Sequence, residues 1–136
     1  WFGGLWMKKS LAPGVSAEIR HRVVTENLVS FRKPEAPPVL ATPWLVELLE
    51  TAAYRALKPH LDPGEASVGI GFQLEHLAPT PAGQTVIATA RVTAVDGNRV
   101  SFQWEARDAF ELIARGTHVR AVIDQARFRR GLKRKS

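Results

Sequence analysis

Apolar residues between positions 42 and 58 recur with the spacing of one helical face. Thr42 and Pro43 precede this stretch, and Pro43 suits the first position of a helix, so we expect Thr42 to be the N-cap. Pro59 should end the helix near residue 58. The apolar positions have the period of an amphipathic helix: Leu45, Leu48, Leu49, Ala52, Ala53, Ala56 and Leu57.

After residue 64 the apolar period changes from 3.6 to 2, which is typical of strands with one buried face. Further alternating runs cover residues 86–94, 100–106 and 113–123, with a hairpin turn at 96–98. Residues 15–25 include several β-branched side chains and alternate in part between apolar and polar, which indicates an earlier strand. In the first run after the helix we expect five residues to face inward: Val68, Ile70, Phe72, Leu74 and His76.

One strand, one long helix and four further strands form an α+β order. A curled antiparallel five-stranded sheet wrapped around one helix is the hotdog fold, and we predict that fold here. Because such a sheet leaves its edges open, pairing of two subunits would protect them. We therefore expect a homodimer.

The charge is concentrated at one end of the chain. Of 19 basic and 13 acidic residues, six basic and no acidic ones fall in residues 125–136, so residues 1–124 balance at 13 each. We predict a leader and flexible N-terminus over residues 1–12, a domain over 13–124 and a basic tail over 125–136. We interpret the tail as a disordered, solubilising end.

The composition argues against several classes of protein. The absence of cysteine rules out disulfides and thiolate zinc sites, and suits a reducing compartment such as the cytoplasm. The four histidines lack the short spacing of metal ligands, so no metal is expected. The neutral domain and the absence of a long apolar run favour neither nucleic acid nor membrane as a partner.

Four residues are candidates for chemistry, and each also has a structural explanation. Glu50 lies beside the apolar stripe as a boundary carboxylate, His76 could be a core histidine, and Thr42 a simple cap. A helix inside a curled sheet could bring all three to one pocket, where they could attack a thioester, polarise its carbonyl and stabilise the leaving group. Gly69 within a strand indicates either close approach of substrate or sheet curvature.

Three segments carry a resemblance to a known family: ATPWLVELLETAAYRALKPHLDPGEASVG, LEHLAPTPAG and GTHVRAVI. Together, within residues 38–124, they resemble the fluoroacetyl-CoA thioesterase group of hotdog thioesterases. The resemblance implies hydrolysis of an acyl-CoA, with CoA entering only as part of the substrate and no metal or organic cofactor. It also implies dimers with the site near the interface. The residues that it assigns are catalytic Thr42, Glu50 and His76 and substrate-binding Gly69 and Arg120.

The segment before Thr42 departs from that family. Residues 30–40 are shorter than in the fluoroacetate-selective member and contain only Phe31. This predicts a less exacting pocket for a different, short acyl group.

Two other functions share these features. A hotdog hydratase or dehydratase uses the same fold. A non-catalytic module that binds acyl-CoA or nucleic acid could contact its ligand through the basic tail. In the thioesterase itself, the tail could attract the phosphates of CoA.

Overall fold

The computed structural model describes residues 10–136, so the expectations for residues 1–9 lie outside the described part. Single 3₁₀ turns occupy Thr25–Asn27, Lys58–His60 and Lys133–Lys135. The helices and strands are β1 (Ser16–Arg22), α1 (Val29–Arg32), α2 (Thr42–Leu57), β2 (Glu65–His76), β3 (Thr85–Asp96), β4 (Arg99–Arg107), β5 (Leu112–Asp124) and α3 (Gln125–Leu132).

The five strands form one antiparallel sheet in the order β1-β3-β4-β5-β2. Helix α2 packs on its inner face, and every apolar position of the predicted helical stripe is buried. Alanines on both surfaces, such as Ala52 and Ala88, allow the helix to approach the sheet closely. The predicted helix-in-sheet architecture is therefore confirmed.

The β3–β4 hairpin turns at Gly97 and Asn98, as the sequence predicts. Gly97 has a φ of +60°, which a glycine adopts without strain. A β-bulge between Val92 and Ala94 then moves Ala94 to the exposed face. The prediction that Ala94 faces the core is wrong, because the alternation is interrupted by an extra residue.

A second bulge corrects the predicted inward face of β2. Gly69 pairs with Arg120 but Gly71 pairs with Val119, so Ile70 is an inserted residue. Phe72, Leu74 and His76 have the predicted inward register. Val68 and Ile70 do not, and the inward positions before the bulge belong to Ser67 and Gly69.

The segments at both predicted domain boundaries have defined structure. Leu11 is buried in the core, so the folded part extends before residue 13. Residues 125–132 form the exposed helix α3, which begins where the Asp124 carboxylate accepts a hydrogen bond from the Arg127 amide. The expectation of a disordered tail is therefore wrong for this segment.

Candidate active site

Thr42 and His76 form a direct hydrogen bond at the N-terminal end of α2. The Thr42 hydroxyl lies 2.8 Å from Nδ1 of His76. The prediction that Thr42 is the N-cap is wrong by one residue: Ala41 holds that position, with φ −74° and ψ 140° and no side-chain cap. Because Thr42 is not the N-cap, its hydroxyl is available to the histidine. The two side chains form a hydroxyl–imidazole pair.

Burial keeps His76 neutral. It lowers the pKa of His76 below its ordinary value near 6.5, and the backbone of Ala78 offsets only part of this effect. The Nε2 atom is buried and has no hydrogen-bond partner within residues 10–136. Since buried polar atoms are nearly always paired, Nε2 is the imidazole nitrogen that the described residues leave unsatisfied.

A cleft of about 740 Å³ opens beside Thr42. Its wall is mainly apolar, and its charged residues are two of each sign: Arg32, Lys33, Glu26 and Glu47. The volume suits a small-molecule ligand. The residues that line it are Glu26, Leu28, Val29, Arg32, Lys33, Ala41, Thr42, Pro43, Trp44 and Glu47.

The first turn of α2 offers few amide donors to a developing oxyanion. Pro43 has no N–H, and the Trp44 amide donates to the Ala41 carbonyl at 3.1 Å. Among the first three residues of α2, this leaves the Thr42 amide as the donor that an oxyanion could use. The positive end of the helix dipole adds to its effect.

Glu50 belongs to a second polar group, two turns further along α2. Its Oε2 lies 3.4 Å from Nη1 of Arg120. Only 6% of the Arg120 side chain is exposed, against 41% for Glu50, so the carboxylate reaches solvent while its cation does not. Arg120 is anchored in turn by Ser67, whose hydroxyl accepts from Nε at 3.0 Å and whose carbonyl accepts from Nη2 at 3.2 Å.

Gly69 is what allows Glu50 to lie against β2. A Cβ at position 69 would overlap Oε2 of Glu50 and would lie 3.2 Å from Cε1 of His118. A Cβ at Gly71 would meet nothing within 4 Å. The group that approaches Gly69 closely is thus a protein side chain, and the bulge between Gly69 and Gly71 also bends the strand here.

His118 completes the second group and was not among the predicted site residues. It lies 3.3 Å from Nη1 of Arg120 through its Nε2 atom and is almost fully buried. Ser67 was missed as well. A sequence signal existed for His118, because it occupies the inward register of an apolar strand, as His76 does.

Within one subunit the predicted catalytic residues fall into two groups. Thr42 and Glu50 are eight residues apart on α2, which corresponds to about 12 Å along the axis. Thr42 and His76 are brought together, and Glu50 joins Arg120 and Gly69. The expectation that all three catalytic candidates share one pocket does not hold for the isolated chain.

Residues 10–136 contain no group of three or more His, Asp or Glu side chains arranged for a metal ion. Among the helices of the same residues, none has the length and apolar content to cross a membrane.

Comparison with known proteins identifies the relatives of this chain. The model of the family described as fluoroacetyl-CoA-specific thioesterase matches residues 23–126. The fluoroacetyl-CoA thioesterase of Streptantibioticus cattleyicolor is 42% identical over 102 residues, which cover 75% of this chain and 73% of that protein.

Solved structures agree with that result. A structure of the fluoroacetyl-CoA thioesterase FlK matches with a TM-score of 0.87 at 35% identity, covering 94% of this chain and 99% of that one. A hypothetical protein of Thermus thermophilus, described as a thioesterase superfamily member, has a TM-score of 0.87 at 29% identity, with 93% of each chain covered.

Proposed function

The chain belongs to the fluoroacetyl-CoA-specific thioesterase family, and from this we propose that it hydrolyses a short-chain acyl-CoA to the free acid and CoA. The observation that carries the proposal is the Thr42–His76 hydrogen bond beside the cleft. A hydroxyl–imidazole pair next to an apolar cleft can orient a thioester carbonyl and meet its sulfur.

Glu50 would be the group that delivers water or attacks directly. As a base it would take a proton from water while the oxygen adds to the carbonyl carbon; as a nucleophile it would form an acyl-enzyme that water then hydrolyses. In both routes the C–S bond breaks and the thiolate of CoA gains a proton. The exposure of Glu50 and its ion pair with Arg120 support this role.

His76 would act on the leaving group. Since its lowered pKa keeps it neutral near pH 7, it would stabilise the departing sulfur by donating a hydrogen bond. Thr42 would orient the imidazole and the carbonyl. The reaction so described uses water and the thioester alone, and we propose that it takes place in the cytoplasm, which suits a chain without cysteine.

We further propose that a homodimer joins the two polar groups. β2 is a 12-residue edge strand whose residues 69–73 are all exposed, with Phe72 at 59% and Ile70 at 47%. Such an apolar edge favours pairing with a second copy. In antiparallel pairing about a twofold axis, opposing residues share a face, and the sum of their numbers is constant except where a bulge inserts a residue.

That arithmetic supports a shared site. With the axis at Phe72 the sum is 144 at the axis, and the inserted Ile70 lowers it to 143 beyond the bulge, so the partner subunit's His76 would lie opposite Ser67. Ser67 is two residues before Gly69, which contacts Glu50, and it bonds Arg120, the ion-pair partner of Glu50. Glu50 of one subunit would then face the Thr42–His76 pair of the other, and the distance of about 12 Å within one chain would no longer separate them.

Thiol release from a panel of short, branched, aromatic and fluorinated acyl-CoAs tests the function. We expect Glu50→Gln and His76→Ala each to lower kcat by about 100-fold or more, because each removes a group that handles a proton or charge in the transition state. Glu105→Gln is the matched control, since Glu105 forms an exposed ion pair with Arg107 at 3.3 Å; it should retain wild-type rates.

Failure of the wild-type protein to release thiol from every member would contradict the proposal. Including an enoyl-CoA separates the rival reactions, because a hydratase would consume its double bond without releasing thiol. Binding without any turnover would instead favour a carrier of acyl-CoA.

A further inference from the structure

His118 is a buried histidine that the proposed chemistry does not use. It is 2% exposed and lies on β5, two residues before Arg120. Its ring stacks on Trp104 with centroids 4.5 Å apart and an angle of 14° between the planes. Because its ring plane is set by this stack, its two nitrogens point in defined directions.

The hydrogen bonds of His118 determine its protonation state. Nδ1 lies 2.8 Å from the carbonyl oxygen of Gly71, which can only accept, so Nδ1 carries a proton. Nε2 lies 3.3 Å from Nη1 of Arg120, which can only donate, so Nε2 must accept. The neutral ring with its proton on Nδ1 is the one form that makes both bonds.

Burial makes protonation of this ring unfavourable, and of the charges around it Arg120 lowers the pKa of His118 while Glu50 raises it. Arg120 faces it from the same strand, and Glu50 and Tyr54 lie across from α2, with the Tyr54 ring 5.9 Å from the guanidinium carbon of Arg120. The remaining neighbours, Phe102 and Trp104, are aromatic. Burial first, and then the charge of Arg120, lower the pKa of His118.

Arg120 depends on acceptors from several elements at once. Ser67 binds two of its nitrogens from β2, Glu50 binds Nη1 from α2, and His118 binds the same Nη1 from β5. Removal or protonation of His118 would leave an Arg120 N–H without its acceptor in a buried site, and this N–H is on the nitrogen that contacts Glu50.

We propose that neutral His118 is a positioning residue, which holds Arg120 and through it Glu50 in the geometry required for thioester hydrolysis. The proposal rests on the proposed function of Glu50. His118 touches neither substrate nor water in this role, and its effect is transmitted through the guanidinium.

Two substitutions separate positioning from simple packing. His118→Phe keeps the stack on Trp104 but removes both hydrogen bonds, and we expect kcat/KM to fall about 10- to 100-fold at every pH, since small displacements of a catalytic group have effects of this size. His118→Gln can still offer an oxygen to Arg120 and cannot titrate. It should stay within about fivefold of wild type at neutral pH, because the bond to Arg120 is retained.

A loss of packing alone would not change the pH dependence of kcat/KM, so this dependence tests the positioning role. In the wild type, His118 becomes protonated at a pH below 6.5, the ordinary pKa of histidine, because its own pKa is lowered. This protonation adds to the loss of kcat/KM in acid. His118→Gln should therefore show a less steep acid limb. His60→Gln, which alters a histidine bonded to Ser10 at 2.7 Å, is the matched control and should keep the wild-type profile.

A structural readout accompanies the kinetics. Nitrogen-15 NMR of the wild type should show the His118 ring protonated on Nδ1 and neutral at pH 7, and the Arg120 side-chain N–H signals should broaden in His118→Phe. Wild-type rates and profiles in both variants would overturn the positioning role while leaving thioesterase activity intact, as would a ring protonated on Nε2. Absence of hydrolysis by the wild-type protein would instead overturn the function of Glu50 and this role together.

Discussion

At the scale of single residues, Glu50 combines exposure with fixed geometry. Its side chain is 41% exposed, yet one oxygen is held near the buried Arg120 and lies against the backbone of Gly69. Exposed carboxylates normally rotate freely and their ion pairs contribute little. Here the buried cation and the missing side chain at position 69 orient a carboxylate that still reaches water.

Gly69→Ala tests whether this close approach matters. A methyl group at position 69 would occupy the space of the Glu50 carboxylate, so the side chain must turn away from Arg120. We expect kcat/KM for the best acyl-CoA of the panel to fall about 10- to 100-fold, as for other small misplacements of catalytic groups.

Gly131→Ala is the control for this substitution. It places the same methyl group in open space on α3, outside the sheet. Its rate should remain close to wild type. Equal rates in the two alanine variants would show that Glu50 does not need the space beside Gly69.

At the scale of elements, helix α2 begins without a side-chain cap, although a threonine is one residue away. Ser, Thr, Asp and Asn are the side chains that cap helices best, yet Ala41 is at the cap and Thr42 follows it. The threonine hydroxyl instead bonds His76, 34 residues later in the chain. The helix begins without a side-chain cap, and the hydroxyl remains at the cleft.

Urea unfolding of Thr42→Ala and Ala41→Ser distinguishes these roles. Thr42→Ala should change the free energy of unfolding by less than about 0.5 kcal/mol, as for other exposed positions, while kcat falls about 100-fold through loss of the hydrogen bond to His76. Ala41→Ser should stabilise the protein by about 0.5–1 kcal/mol by supplying the missing cap.

Thr42→Ser is the matched control, because it keeps a hydroxyl at the same position; most of the activity should survive. A loss of 1 kcal/mol or more in Thr42→Ala would point to a capping role after all.

At the scale of the whole molecule, β2 is the edge on which assembly and the site depend. It is the longest exposed edge of the sheet and carries Ile70 and Phe72 in the open, without lysine or proline to discourage pairing. The bulge at Ile70 lies in the middle of this edge. A dimer formed there would involve the same residues that support Glu50.

Phe72→Lys should convert the proposed dimer to a monomer in light scattering coupled to size exclusion, with secondary structure retained. A lysine at the centre of a twofold interface opposes its own copy. Thioesterase activity should fall with the dimer fraction. Phe110→Lys is the matched control: Phe110 is 79% exposed in the β4–β5 turn, so it should leave assembly unchanged.

Mixing inactive variants extends this test to the shared site. In a heterodimer of Glu50→Gln with His76→Ala, one composite site keeps both native residues. Random refolding of equal amounts gives half heterodimers, so about a quarter of wild-type activity should return. No recovery in mixed dimers would contradict a site shared between subunits.

The sequence by itself determined the long helix, the five strands and their order, because periods of 3.6 and 2 are properties of one segment at a time. The stripe of α2 and the alternation of β4 appear in the structure as predicted. The candidate catalytic residues also came from the sequence, through three segments that together resemble a family.

Only the tertiary structure decided how those residues meet. The bulge at Ile70 exists relative to β5, Gly69 is constrained by a side chain from α2, and the proton of His118 is set by Gly71 and Arg120. Each depends on at least one contact between different elements of the chain. Their geometry depends on strand pairing and packing between elements, which the pattern within one element does not contain.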